Sequence, residues 1–479
     1  MTAARVHTPR AAREDVHRCD RVRLPLNPSQ PKDQRAVLKT VIPGPRSNAL
    51  RAREEAHLAP GVQGYAIASG VAIDRAEGSL VIDVDGNALI DFIGGIGVAA
   101  LGHSHPAFVT AIGAQASRAT IGSLTSEARV NLVDRLASHA PSPGVHRLQL
   151  YSSGAEAVES ALRLAKARTR RFETVSFWGG FHGKTLGAMS LMGSGSKRAY
   201  GPLAPGAHHV PYADCYRCPF GRTYPSCDLY CANFARQHIE HASAGSVAAF
   251  VVEPMQGTAG NVIPPDAFLP KIAEITREIG ALLVVDEMIT GFGRTGRYWG
   301  LEHSGVRPDI VAIGKAFGGG YPLSGVLTTD EIAETKPWSH PSSSSSSYGG
   351  NPLAAAAGAA ALRILDDEGL VENAREVGAF MLERLREMMD KFPFIGFVDG
   401  RGMFLRVELV KDRRTKEPLP ARVTRRIFTE CVRRGLLAMA YAPSLRLQPA
   451  LTLDRATAEN GLAILEEVFD WTRKQHILE

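Results

Sequence analysis

The 479-residue chain reads as an α/β protein with a large domain on a mostly parallel sheet and a smaller α+β domain built from both ends of the chain. Three observations predict this. Between residues 147 and 328, short β-rich runs alternate with helical patterns, the signature of strands joined by crossover helices. The run Ala281-Leu282-Leu283-Val284-Val285 is apolar without alternation, as a strand covered on both faces must be. The length also exceeds the ~250–300 residues at which one core stops growing, so the chain must divide. With 44% apolar, 22% charged and 7% aromatic residues it has ordinary globular composition, which excludes collagen, coiled coil and disorder.

Residues 1–40 form a basic leader. Residues 1–46 hold eight Arg and two Lys against four acids, so they carry the whole formal charge of +6 and the remainder balances. The body is therefore neutral, which leaves no electrostatic case for nucleic acid. The leader lacks an apolar segment and is no secretory signal. An Arg-rich transit peptide is opposed by Glu14, Asp15, Asp20 and Asp33, and a poorly ordered extension is expected. Residues 41–100 begin the small domain, with 79–84, the turn Asp85-Gly86-Asn87 and 88–92 forming a hairpin. Residues 101–355 make the large domain, with strands at 147–151, 174–177, 248–252, 281–285, 310–313 and 324–328. Between them Val158, Ala161, Leu162 and Ala165, and then Phe268, Ile272, Ile275 and Ile279, recur at helical spacing as buried faces. Residues 356–479 return to the small domain, following helices over 352–367 and 371–391 with a strand over 403–409 and a helix over 422–434. The longest apolar run, 353–362, is mostly alanine and far short of the ~20 residues that span a bilayer, so no membrane segment is expected. Composition alone makes the serine run 342–347 a flexible linker. Six Cys make no disulfide scaffold, and a cytoplasmic setting follows.

Ligands of open α/β sheets bind beyond the carboxyl ends of the strands, so the residues after each run are the candidates. After 147–151 come Ser152, Ser153, Gly154, Ala155 and Glu156, opening a helix whose free N–H groups suit a phosphate. Ser153 would serve equally as a plain N-cap. After 174–177 come Trp178, Gly179, Gly180, Phe181, His182 and Gly183, where an aromatic among small residues fits a planar ligand or a buried turn. After 248–252 come Glu253, Pro254, Met255, Gln256 and Gly257, and after 281–285 come Asp286 and Glu287. A carboxylate at that edge pairs with a protonated ring nitrogen or caps a helix. After 310–313 come Gly314 and Lys315, then Gly318, Gly319 and Gly320. A lysine partly desolvated there becomes a nucleophile and base, although a single lysine is ordinarily a solvated surface group. Together a phosphate cradle, an aromatic, a carboxylate and a lysine are the fixtures of a pyridoxal phosphate site. The lysine forms the Schiff base and the acid keeps the ring nitrogen charged, so that the ring is an electron sink.

The segments Pro43-Gly44-Pro45-Arg46, Asp83-Val84-Asp85-Gly86, Gly95-Ile96-Gly97-Val98, Leu101-Gly102-His103-Ser104-His105-Pro106, Ser153-Gly154-Ala155-Glu156-Ala157, Phe181-His182-Gly183, Glu253-Pro254-Met255-Gln256-Gly257, Asp286-Glu287, Thr290-Gly291-Phe292-Gly293-Arg294-Thr295-Gly296 and Gly349-Gly350-Asn351-Pro352-Leu353 stand in this order around Lys315. With them, across about residues 40–475, the chain resembles the class III (omega) aminotransferases, fold-type I pyridoxal phosphate enzymes akin to 4-aminobutyrate aminotransferase. The resemblance implies a seven-stranded sheet in the large domain and aminotransfer between an amino acid or amine and a keto acid or aldehyde. It assigns Lys315 and Asp286 to catalysis, Lys315 as the Schiff-base lysine and Asp286 on the ring nitrogen. It puts Phe181 on the ring face, Ser153, Gly154 and Ala155 around the phosphate, and His182, Glu253 and Met288 among the cofactor contacts. Ser347 stands where the family has a Thr that reaches the partner subunit's phosphate, which implies a homodimer with shared active sites. Arg446 matches the arginine that takes the substrate's carboxylate, a task suited to its fork of donors, and Ile96 and Thr258 fall to the substrate side.

The sequence departs from the family in three places. Thr258 replaces the Glu that pairs with the carboxylate arginine in relatives of 4-aminobutyrate aminotransferase, which turns the expectation toward substrates with a carboxylate beside the amine. Ile289 replaces a Gln that bonds the cofactor's ring oxygen, with Met288 at the ring. The stretch Arg401-Gly402-Met403-Phe404-Leu405-Arg406 is bulkier than the family's and adds a cation. These departures motivate a second reading, in which the same cofactor serves racemisation or epimerisation, or elimination with carbon–carbon bond formation. Retention of Lys315 and Asp286 opposes a third, a binding protein on an enzyme fold. Cys215, Cys218, Cys227 and Cys231 have spacing that would allow zinc or an iron–sulfur cluster, but is not diagnostic, and reduced thiols are expected. His103, His105, His208 and His209 are read as satisfied loop histidines.

Overall fold

The computed structural model describes residues 32–441 and 443–475, so most of the basic leader, residues 1–31, lies outside the described residues. Its end is docked onto the folded body. Val37 exchanges backbone hydrogen bonds with Ala88 at 2.9 and 2.8 Å, and Gln34 accepts from the Ser79 N–H at 2.7 Å.

Seven strands form the large sheet: β1 (Arg147–Tyr151), β2 (Glu173–Phe177), β3 (Ala207–Val210), β4 (Val247–Val252), β5 (Leu282–Asp286), β6 (Ile310–Ile313) and β7 (Ser324–Thr328), in the order β1-β7-β6-β5-β4-β2-β3. All six expected runs are strands, displaced by at most one residue. The unread strand is β3, an edge strand whose centre is His208 and His209, too polar for the apolar run that marks a strand. Those two histidines therefore belong to a strand and not to a loop. The second difference is direction, because β7 runs antiparallel to both β1 and β6. Residues 314–323 between β6 and β7 hold only the 3-10 turn Lys315–Gly318, too little chain for a parallel crossover of a dozen or more residues.

Every residue of β4 is buried, as continuous Val, Ala and Phe require in a sheet covered twice. The helix Gly154–Thr169 buries Val158, Ala161, Leu162 and Ala165, and the helix Phe268–Ile279 buries Phe268, Ile272 and Ile275. Fully burying a side chain the size of Val, Leu, Ile or Phe contributes about 1.5–3 kcal/mol.

Both ends of the chain build the smaller sheets. Leu80–Asp83 and Ala88–Asp91 form the expected hairpin, its turn fixed by Asp83 Oδ1 accepting from the N–H groups of Asp85 and Asn87 at 2.9 and 2.8 Å. Leu436–Leu437, from the far end, pairs in parallel with Ala88–Asp91. A second sheet runs Ile395–Arg401, Phe404–Asp412, Ser444–Leu447, Met439–Tyr441. Only Phe404–Asp412 of these was legible, as 403–409. The helix Pro352–Asp367 begins where expected, with Asn351 accepting from the Ala354 N–H at 2.9 Å and Pro352 in the first turn. Among the described residues no helix is long and apolar enough to cross a membrane.

Candidate active site

β1, β2, β4, β5 and β6 run in one direction, so the residues after their carboxyl ends meet along one edge of the sheet, where the antiparallel β7 starts. Ser324, the first residue of β7, donates from Oγ to the Ser153 carbonyl at 2.7 Å and so fixes the turn after β1. The edge thus gathers Ser153 to Ala155, Phe181 and His182, Glu253, Asp286 and Lys315.

The acid at the end of β5 is held on two sides. Asp286 Oδ2 lies 2.7 Å from His182 Nδ1, and Oδ1 accepts from the Met288 N–H at 3.0 Å. Both side chains are buried, at 1% and 2% exposure. Burial works against a charged His182, but the hydrogen bond and charge of Asp286, with Glu253 behind it, raise its pKa above the ordinary value. Glu253 accepts from the N–H groups of Phe181 and Gly257 at 3.0 Å each, tying the β2 and β4 turns together. Burial, with Asp286 nearby, pushes its carboxyl up despite His182. Glu287, beside Asp286, points away from this group. Its oxygens accept from Thr290 Oγ1 and from the N–H groups of Gly300 at 3.0 Å and Leu301 at 2.7 Å, so the capping alternative holds for Glu287 and not for Asp286.

Lys315 is partly buried just after β6, with φ 50, in the left-handed region that a non-glycine residue occupies at a cost of order 1–3 kcal/mol. Burial pushes its ammonium down to about 8, against the charges of Asp286 and Glu253, and the cations Arg446 and Arg294 add to the push. The lysine is thus tuned toward the neutral amine that nucleophilic and base chemistry need.

Opposite lies the helix start. Ser153 is the N-cap of Gly154–Thr169 and accepts from the Glu156 N–H at 3.2 Å, while Glu156 accepts from Ser152 and Ser153 at 3.1 and 2.9 Å. Capping and an anion seat are compatible here, since the hydroxyl that accepts can still donate and the helix N-terminus carries positive potential. The Phe181 loop presses on it, because a Cβ on Gly183 would stand 2.8 Å from that of Ala155. The Met288 thioether lies between the β1 and β6 turns, with Sδ 3.0 Å from a Cβ built on Gly154 and 2.6 Å from one on Gly314.

Of the residues expected on the substrate side, Arg446 is 3% exposed and donates from Nη1 to the Gly257 carbonyl at 2.7 Å. Ile289 packs on Gly257 and on Gly97, its methyl carbons 3.2 and 3.5 Å from a Cβ at either position, and Ile96 is half-buried at φ 65 beside Gly97. Thr258 is exposed in the single chain.

The serine run is no free linker. Tyr151 Oη donates to the Ser344 carbonyl at 2.9 Å, Arg163 to that of Ser343 at 3.1 Å, and Ser346 Oγ to Glu156 at 3.4 Å, while Ser347 is exposed. His103 meets Asp91 at 2.9 Å and His105 meets Glu368 at 3.0 Å. Cys215, Cys218, Cys227 and Cys231 line one small cavity, where burial and mutual proximity push the thiols of Cys215 and Cys231 up to about 11 and 12. Among the described residues no three of His, Cys, Asp and Glu are grouped so as to hold a metal ion. Sequence reasoning missed the residues after β3: Tyr212, whose hydroxyl donates to the Glu253 carbonyl at 3.0 Å, and Asp214 and Arg217. The end of β3 is their signal, and that strand was unread.

The donor set fits pyridoxal phosphate: an amine with a lowered pKa, a carboxylate locked to a histidine, a helix N-terminus and a half-buried ring on one edge. A family model described as class III aminotransferase matches residues 64–469. A leucine/methionine racemase of Thermococcus litoralis is 34% identical over 399 residues, 82% of this chain and 89% of that protein. A diaminobutyrate–2-oxoglutarate aminotransferase of Haemophilus influenzae is 37% identical over 354 residues, 72% of this chain and 76% of that protein. The structure is similar to an amine transaminase from an uncultivated Pseudomonas species in its PLP-bound form, with TM-score 0.81 and 30% identity over 86% of this chain and 98% of that one.

Proposed function

The chain belongs to the class III aminotransferases, pyridoxal-phosphate-dependent enzymes, and from that we propose that it moves the amino group of an α-amino acid to a keto acid, with Lys315 as the cofactor's lysine. The observation that carries the reading is the meeting of Lys315 with the Asp286–His182 pair at one sheet edge.

When bound, pyridoxal phosphate supplies the electron sink that makes the proton on the substrate's Cα removable. Lys315 Nζ, with a pKa of about 8, takes that proton and returns it. Asp286, fixed by His182 and the Met288 N–H, would face the ring nitrogen and keep it charged. Phe181 would lie on the ring, Ser153, Gly154 and Ala155 would hold the phosphate, and Arg446 would bind the substrate's carboxylate with Ile96 and Thr258 lining the approach. Ser347, exposed on the single chain, reaches the phosphate of a second copy, so the working form is a homodimer. The free thiols suit a cytoplasmic setting. A second reading, return of the proton to the other face of Cα and hence racemisation, is favoured by the racemase relative and by Ile289 in the family's Gln position.

Holoenzyme incubated with α-amino acids in deuterated water, with and without keto acid, tests this. Formation of a keto acid and of the cofactor's amine form supports transamination, whereas deuterium at Cα with the amine retained supports racemisation. Arg446→Ala should weaken kcat/KM for α-amino acids by about 2–5 kcal/mol, as when one partner of a buried charged pair is lost. Preference of the unaltered enzyme for amines without a carboxylate would defeat the assignment of Arg446.

A further inference from the structure

Two rows of residues cross the second small sheet in register, and side chains directly opposite on neighbouring strands share one face. The first row runs Asp399, Arg406, Arg446, Met439, and the second runs Phe397, Glu408, Ser444. Arg406 and Arg446 are therefore side by side, 2% and 3% exposed, an arrangement that like charges resist. Diagonal to Arg446 sits Glu408, 0% exposed, within reach of a long side chain.

Arg406 holds the nearby carboxylates. It donates from Nε and Nη2 to Glu408 Oε2 at 3.1 and 2.9 Å, and from Nη1 and Nη2 to the two oxygens of Asp214 at 3.1 and 3.2 Å. Arg217 takes the other oxygen of Glu408, and Ser444 Oγ donates to Oε2 at 2.6 Å. Burial opposes the charge of Glu408, yet Arg406, Ser444 and Arg217 hold its carboxyl below the usual range. A buried carboxylate beside two arginines belongs to whichever reaches it with better geometry.

We propose that Arg406 is a specificity-determining residue: by engaging Glu408 it keeps that carboxylate off Arg446 and thereby sets the enzyme's preference for substrates that carry a carboxylate. The inference rests on the proposed role of Arg446. In Arg406→Met the stem volume remains, but Glu408 loses its main partner and turns to the arginine diagonal to it, where it competes with the substrate.

The readout is the ratio of kcat/KM for an α-amino acid to that for the amine lacking only its carboxylate, measured on cofactor-loaded protein. Being internal, the ratio is insensitive to partial loss of folded enzyme. Arg406→Met should lower it at least tenfold, Arg406→Met with Glu408→Gln should restore it to within threefold, and Glu408→Gln alone should leave it within threefold. An unchanged ratio in Arg406→Met, or failure of the double variant to restore it, overturns the proposal. Should Arg406→Met not fold, Glu408→Gln decides, because a tenfold fall there makes the network a mere brace, while a ratio held within threefold supports the proposal. If Arg446→Ala leaves the ratio unchanged, the assignment of Arg446 itself fails; if it lowers the ratio and Arg406→Met does not, only the present inference fails.

Discussion

Lys315 bears two costs at once, a left-handed backbone and a desolvated ammonium. Ile96 at φ 65 and Phe292 at φ 60 share the first, and such strain persists where surrounding packing over-determines it. With its pKa lowered to about 8, the amine is protonated below that pH and neutral above it. The rate at which apoenzyme takes up pyridoxal phosphate should therefore climb with pH and level off above about 8, and stopped-flow absorbance would follow it. Lys315→Ala should keep its fold by circular dichroism and show no pyridoxyl adduct by mass spectrometry after borohydride reduction. A rate independent of pH from 6 to 9 would contradict the tuned amine. The place of Lys315 and Asp286 at the sheet edge was legible in the sequence because each comes directly at the end of an apolar strand run. The partner of Asp286 was not, since His182 lies 104 residues away and only the fold selects which strand ends meet. Arg406 showed as an extra cation, but Asp214, which it holds, and Arg217, which shares Glu408 with it, follow the strand that was missed.

Glu287 shows how one side chain anchors an element. Burial pushes its carboxyl up to about 7, although Thr290 and the N–H groups of Leu301 and Gly300 pull the other way. Between the unfolded value near 4.5 and about 7 the folded protein binds the extra proton, so this contribution to stability is full below about 4.5 and lost as pH rises through 7. The loss amounts to roughly 3 kcal/mol, at 1.36 kcal/mol per unit. Melts at pH 5 and pH 8 should differ more for the unaltered protein than for Glu287→Gln, which cannot ionise. Equal pH dependence of the two would remove Glu287 as the cause. Strand elements were read well where apolar residues run unbroken, as in β4 and β5. They were missed where an edge strand is polar, as in β3, or where strands are two to four residues long, as from Leu436 to Leu447.

For the whole molecule, the resemblance implied an assembly that a single chain cannot display. Tyr348, next to Ser347, is 65% exposed, and the loop bearing both is pinned to the start of the helix Gly154–Thr169 through Ser346 and Glu156. If Ser347 completes the second copy's site, ligand binding and association are linked, because whatever binds only the assembled state stabilises it. Removing pyridoxal phosphate should lower the Tm and raise the dimer dissociation constant in sedimentation, and Ser347→Ala should weaken cofactor retention. Full cofactor affinity in a monomer would refute the shared site. The joining of the chain's two ends in the small sheets was legible as a pattern, but the pairing of Leu436–Leu437 with Ala88–Asp91 was not, because two residues carry no periodicity.

The position of Met288 has a consequence for how the enzyme ages. Its sulfur stands where Gly154 and Gly314 leave no room even for a methyl group. Peroxide adds an oxygen to a thioether, making a polar, larger sulfoxide. Oxidation at this one atom would wedge the turns after β1 and β6 apart and loosen the phosphate seat and the lysine together. Dilute hydrogen peroxide should inactivate apoenzyme in step with oxidation of Met288 in a peptide map, bound pyridoxal phosphate should slow it, and Met288→Leu should resist. Inactivation of Met288→Leu at the unaltered rate would place the damage elsewhere. Met288, which the resemblance puts among the cofactor contacts, would thereby set the shelf life of the preparation and mark where reductive repair would have to act.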